Sequence, residues 1–223
     1  PSSPAKKPVA APIARYAPTS AIKPRDDELP FGLGHGCEIC LRLDREAGTE
    51  GGEGGRIRGV GGPEGELWVG THLSGLSRLD VATGKFKRYR NDPADPRSLS
   101  DDLVYSLFED RAGGLWVGTG NGLNAYDRAC DCFTRYVFRM DGKGSMTDKA
   151  ALSILEDRDG NVWVGTFVGL NVLDRETGTF AHFTERDGLP NDVIHGILED
   201  ENGALWLSTN RGISNFDFKD EVY

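Results

Sequence analysis

The sequence predicts an all-β fold built from tandem four-stranded antiparallel units, the blades of a β-propeller. Two observations predict it. The four tryptophans recur at near-constant spacing, with Trp68, Trp116, Trp163 and Trp206 lying 48, 47 and 43 residues apart. Each also sits in a near copy of one segment: Glu66-Leu-Trp-Val-Gly-Thr71, Gly114-Leu-Trp-Val-Gly-Thr119, Asn161-Val-Trp-Val-Gly-Thr166 and Ala204-Leu-Trp-Leu-Ser-Thr209. A repeat of about 40–50 residues marks a propeller or a solenoid. Short apolar runs separated by turn residues, without helical periodicity, make the unit a four-stranded blade.

The elements of the unit follow in order. An apolar first strand ends in Glu-Asp at Leu107–Asp110, Ile154–Asp157 and Ile197–Asp200. A turn then places glycine three residues before the tryptophan, at Gly65, Gly113, Gly160 and Gly203. The second strand holds the tryptophan and, two residues on, Gly70, Gly118 or Gly165. Residues two apart in a strand share a face. The bare glycine beside the tryptophan therefore makes room for a group from the neighbouring blade. Gly75-Leu76, Gly122-Leu123, Gly169-Leu170 and Gly212-Ile213 open a third strand that closes on Asp80, Asp127, Asp174 or Asp217. An aspartate at that position accepts turn amides. The fourth strand reads Phe86-x-x-Tyr89, Phe133-x-x-Tyr136 or Phe180-x-x-Phe183.

This divides the chain into a Pro/Ala/Lys-rich tether over 1–27, a segment over 28–56, and four repeats over 57–90, 104–137, 152–184 and 194–223. The tether holds six of the eleven prolines and too little apolar surface to offset its ordering entropy. Within it Ile13–Tyr16 matches the fourth-strand pattern and is expected to pair as an edge strand. Residues 28–56 read either as a degenerate blade or as a glycine-rich loop. The architecture expected is thus a partial or small propeller.

The residues resemble the two-component regulator propeller repeat: Asp-x-x-Gly-x-Leu-Trp-x-Gly-Thr, then Gly-Leu, then the strand-closing aspartate. The resemblance implies a seven-bladed ring in the periplasmic or extracellular sensor region of a bacterial histidine kinase, diguanylate cyclase or related receptor, where known ligands include oligosaccharides. The copies depart from the pattern in particular places. The first has Gly61-Gly62 for Glu-Asp and an extra loop residue at His72-Leu73-Ser74. The second has Cys130-Asp131-Cys132 in its third turn. The fourth has Ser208 for glycine and no clear Phe-x-x-Tyr strand.

Charge narrows the partners. The net charge is −9, although residues 1–25 carry Lys6, Lys7, Arg15, Lys23 and Arg25 and no acid. An acidic body argues against nucleic acid, whose phosphates need a basic face. The sequence contains no apolar run of about 18 residues that would span a membrane.

Strand parity puts the second-to-third loops and the blade-to-blade loops on one face. Function lies on loops held by a rigid scaffold. His72, Asn121, Phe167, Asn210 and Arg211 are the expected ligand contacts, a mixture suited to sugars or other polar ligands. The expected function is non-catalytic ligand sensing, without a cofactor or bound metal. The alternatives are a propeller lyase resembling streptogramin lyase and a protein-binding scaffold. Gly118–Gly122 lacks the lysine and helix of a phosphate loop. Asp157–Asn161 lacks the later acid of a calcium loop. Cys37, Cys40, Cys130 and Cys132 are open to zinc, disulfides or free thiols.

Overall fold

The computed structural model describes residues 58–61, 66–140, 142 and 144–216. The tether, the Ile13–Tyr16 strand, the 28–56 segment, Cys37, Cys40 and Asp217 lie outside them.

Four sheets follow one another along the chain, each with its strands in sequence order. Blade 1 is β1 (Arg58–Gly61), β2 (Glu66–Gly70), β3 (Leu76–Asp80) and β4 (Lys85–Tyr89). Blade 2 is β5 (Val104–Glu109), β6 (Leu115–Thr119), β7 (Gly122–Asp127) and β8 (Cys132–Tyr136). Blade 3 is β9 (Ser153–Glu156), β10 (Val162–Thr166), β11 (Gly169–Asp174) and β12 (Thr179–Phe183). Blade 4 is β13 (Ile194–Glu199), β14 (Leu205–Thr209) and β15 (Gly212–Phe216). The pairings are antiparallel, and among the described residues one short 3-10 turn, at Glu185–Asp187, interrupts the loops. The first strands of successive blades run beside one another. As expected, each tryptophan lies on the second strand of its blade.

The core is divided among the blade interfaces. Trp68, Leu76 and Tyr89 of blade 1 pack against Val104, Val117 and Tyr126 of blade 2. Trp116 and Leu123 pack against Ala151, Val164 and Phe180 of blade 3. Trp163 and Leu170 pack against Ile194, Leu207 and Phe216 of blade 4. Burying one such side chain contributes about 1.5–3 kcal/mol. The second aromatic of the Phe-x-x-Tyr strand stacks on the tryptophan of its own blade. Ring centroids are 5.5 Å apart for Trp68–Tyr89, 6.1 Å for Trp116–Tyr136 and 6.1 Å for Trp163–Phe183. The first aromatic reaches back to the preceding blade, at 5.6 Å for Phe133–Tyr89 and 6.0 Å for Phe180–Tyr136.

The glycine beside each of the first three tryptophans is required by close approach. A Cβ on Gly70 would lie 2.5 Å from Val104 Cγ1, and one on Gly165 would lie 2.7 Å from the Ile194 carbonyl oxygen. The neighbour is therefore the first strand of the next blade, including its backbone.

Blade 4 breaks the symmetry. Trp68, Trp116 and Trp163 are 1%, 6% and 1% exposed, whereas Trp206 is 43% exposed. Leu198 and Ile213, on the same face, are also exposed. Strands β6 and β10 are buried along their whole length, while β14 alternates. Trp206 thus departs from the other three tryptophans, because no described residue covers that face.

Candidate functional site

The second-to-third loops are shaped by the threonine that ends each Gly-Thr or Ser-Thr pair. Thr119 Oγ1 donates to the Gly122 carbonyl at 3.0 Å, Thr166 to Gly169 at 2.9 Å and Thr209 to Gly212 at 3.0 Å. The same oxygen accepts the amide of Asn121, Val168 or Arg211. In blade 1 the bond runs from Thr71 to Gly75, one residue further along, which accommodates the extra loop residue. Gly122 closes its loop at φ 128°, where a Cβ would lie 2.6 Å from the Tyr136 carbonyl oxygen.

Buried asparagines fix the blade-to-blade loops to the same face. Asn124 accepts the Ser100 amide at 3.0 Å and donates to Ser100 Oγ at 2.8 Å. Asn171 accepts the Thr147 amide at 2.9 Å and donates to Thr147 Oγ1 at 3.0 Å. Both asparagines are fully buried, so their hydrogen bonds are obligatory. The loops are thereby held rigid enough to present side chains.

Those side chains fall into separate groups. Asn210 Oδ1 accepts a hydrogen bond from His195 Nε2 at 2.8 Å. Beside it Arg211 Nη1 donates to the Pro190 carbonyl at 3.1 Å and pairs with Glu185 at 3.7 Å. Phe167 and Val168 are exposed on the adjoining loop of blade 3. His72 meets the edge of the Tyr105 ring at 6.3 Å. Asn121 sits at an open groove of about 680 Å³ lined also by Arg97, Phe133, Arg135 and Phe138. Arg135 is committed to the 91–99 loop through the Ser98, Asp95 and Leu99 carbonyls, whereas Arg97 is exposed.

Tyr105 was missed by sequence reasoning, and His195 reads there only as a residue at the start of a first strand, with little claim to a catalytic role. Each is the extra residue of a bulge in a first strand, between Val104 and Ser106 and between Ile194 and Gly196. A bulge re-aims its side chain and is common beside functional sites. The signal lies in the cross-strand register, which no single segment displays.

The repeat carboxylates have structural partners. Asp110, Asp157 and Asp200 accept the indole N–H of Trp116, Trp163 and Trp206. Asp80, Asp127 and Asp174 accept turn amides. The cysteine alternatives are resolved for one pair, since Cys130 and Cys132 form a disulfide.

The fold and its repeats have recognisable relatives. The model of the two component regulator propeller family matches residues 98–121, 145–167 and 188–211. An extracellular domain of a B. thetaiotaomicron hybrid two component system aligns at 25% identity and TM-score 0.66, over 78% of this chain and 24% of its own. A second such domain from B. thetaiotaomicron aligns at 26% identity and TM-score 0.57, over 71% and 21%. The chain thus spans about a quarter of the length of these domains. A streptogramin B lyase aligns at 19% identity and TM-score 0.50, over 74% and 55%, a likeness of fold alone. No curated protein matches the chain in sequence. The matched segments take in the first and second strands of blades 2, 3 and 4, where the chain is similar to two component regulator propeller repeats.

Proposed function

We propose that the chain is a ligand-sensing propeller segment of a bacterial signalling receptor, working outside the cytoplasm and without catalysis. The observation that carries this reading is the coincidence of three matched repeats with the likeness to extracellular domains of hybrid two component systems. The loop face suits a polar ligand such as an oligosaccharide. Phe167 offers an exposed ring for stacking, and Asn121, Asn210 and Arg211 offer amide and guanidinium groups on the corresponding loops of other blades. The non-catalytic reading is favoured by the repeat aspartates, whose oxygens are taken up by indoles and turn amides and so serve the blade and not acid–base work.

Calorimetry with a panel of neutral and acidic oligosaccharides tests the reading. Binding by the wild type, weakened at least tenfold by Arg211→Ala or Phe167→Ala, is the expected result. Equal affinities in all three proteins would remove this face from consideration. Turnover of ester, lactone or glycoside substrates, abolished by His195→Ala, would replace sensing by catalysis.

A further inference from the structure

We propose that the Cys130–Cys132 disulfide is a thiol-exchange site whose reduction releases Asp131 from blade 1. The turn it occupies is built differently from its counterparts. In blades 1 and 3 the turn between third and fourth strands has glycine in the left-handed region, Gly84 at φ 65° and Gly178 at φ 70°. In blade 2 that position is Asp131, at φ 54°, and among the described residues no other non-glycine has positive φ. Blade 3 flanks its glycine with Thr177 and Thr179, whose hydroxyls bond at 2.7 Å. Blade 2 replaces that hydroxyl pair with the covalent bond between Cys130 and Cys132.

The unusual conformation gives Asp131 a reach that glycine lacks. Its carboxylate accepts the Tyr89 hydroxyl at 2.6 Å and the Tyr126 hydroxyl at 2.5 Å, and pairs with Lys87. Tyr89 and Lys87 belong to β4 of blade 1, so Asp131 clasps one blade to the next. Burial first, then the Tyr126 phenol, pushes Tyr89 above the ordinary phenol range, which keeps it a donor. An aspartate adopts the left-handed region less readily than glycine, although more readily than most residues. The disulfide on either side holds it there.

The bond is poorly suited to a purely stabilising role. Cross-links act mainly by closing long loops of the unfolded chain, and this one encloses a single residue. Cys130 is exposed, and exposed disulfides are the exchangeable ones. The reductant is a small dithiol. One of its thiolates attacks Sγ of Cys130, the sulfur–sulfur bond breaks, and Cys132 leaves as a thiolate and takes up a proton. The second dithiol thiolate then attacks the dithiol sulfur of the mixed disulfide. Cys130 is released and protonated, and the dithiol departs as a cyclic disulfide. Two electrons and two protons have passed to the protein, and the turn is free to leave the left-handed region.

The test uses the full chain with Cys37 and Cys40 replaced by serine. Mass spectrometry after alkylation should find no adduct on protein isolated in air and two adducts, at Cys130 and Cys132, after dithiothreitol. Hydrogen exchange over residues 85–89 should rise about tenfold on reduction, the scale of one lost charge-assisted hydrogen bond. Asp131→Gly, which keeps the turn in its blade 1 form, should exchange fast in both redox states. Free thiols in the air-isolated protein, a metal ion held by Asp127, Cys130 and Cys132, or wild-type exchange that ignores the redox state would each overturn the proposal.

Discussion

The carboxylate of Asp157 receives the indole N–H of Trp163 at 2.7 Å, across a hairpin turn that the same carboxylate organises. Its other contacts are the Asp159 and Asn161 amides and the Asn161 side chain. Asp110 and Asp200 repeat the arrangement. In blade 1 the aligned residue is Gly62, and Trp68 Nε1 is buried without a partner among the described residues. One carboxylate thus fixes both the turn and the tryptophan that seals the interface.

Asp157→Ala should therefore destabilise the protein by about 2 kcal/mol, because it leaves a buried indole N–H and turn amides unsatisfied. Asp157→Asn keeps an acceptor oxygen and should cost less. Urea denaturation measures both. Equal losses would mean that the carboxylate works by something other than accepting these hydrogen bonds.

Acid should weaken the loops in a defined window. Hydrogen bonds hold four aspartates below the ordinary carboxylate value of 3.8: from the Thr83 backbone to Asp80, from the side chains of Thr177 and Thr184 to Asp174 and Asp187, and from the Trp206 indole to Asp200. A carboxyl with a lowered folded-state value releases its proton more readily when folded. Its contribution is complete above 3.8 and disappears as the pH falls through the lower, folded-state value. Stability should hold down to about pH 4 and fall below it. The Asp174→Asn variant should show a shallower fall over that range than the wild type. An unchanged profile would show that Asp174 contributes nothing to it.

The blade was legible in the sequence because its fixed positions answer local demands. Trp68 to Trp206 recur with the period, the Gly-Leu glycines sit at left-handed turns, and the strand-closing aspartates bind their own turns. These needs are met within a few residues, so each copy repeats them. Contacts set by pairing across strands were not legible. The bulges that carry Tyr105 and His195 exist only as a mismatch between two strands. Asn124 and Asn171 look like ordinary third-strand residues until the loop that each anchors is in place. The exposure of Trp206 depends on what lies against blade 4, which no feature of its own segment records.

Ser208 shows how such a relationship changes the reading of a single residue. By sequence it is a defect, a serine where Gly70, Gly118 and Gly165 stand. In the sheet, Gly118 is paired with Ser106 and Gly165 with Ser153, while Ser208 is paired with Gly196. Paired residues share a face and lie about 4.5–5.5 Å apart, so blade 4 carries the same two side chains with their strands exchanged. In blade 2 a Cβ on Gly118 would meet both Ser106 Oγ and the Ala151 carbonyl oxygen of blade 3. Gly118→Ser should consequently cost about 2–3 kcal/mol through overpacking. Adding Ser106→Gly removes the first collision but not the second. It also loses the bond from Ser106 Oγ to Ala151. The double variant should regain only part of the loss, with a coupling of about 1 kcal/mol. In blade 4, where no described residue covers the face, exchanging Gly196 and Ser208 should be nearly neutral. Denaturation of the two single variants and the double variant in each blade measures the coupling. A double variant in blade 2 no better than Gly118→Ser alone would show that the exchange at Ser208 and Gly196 is not a compensation.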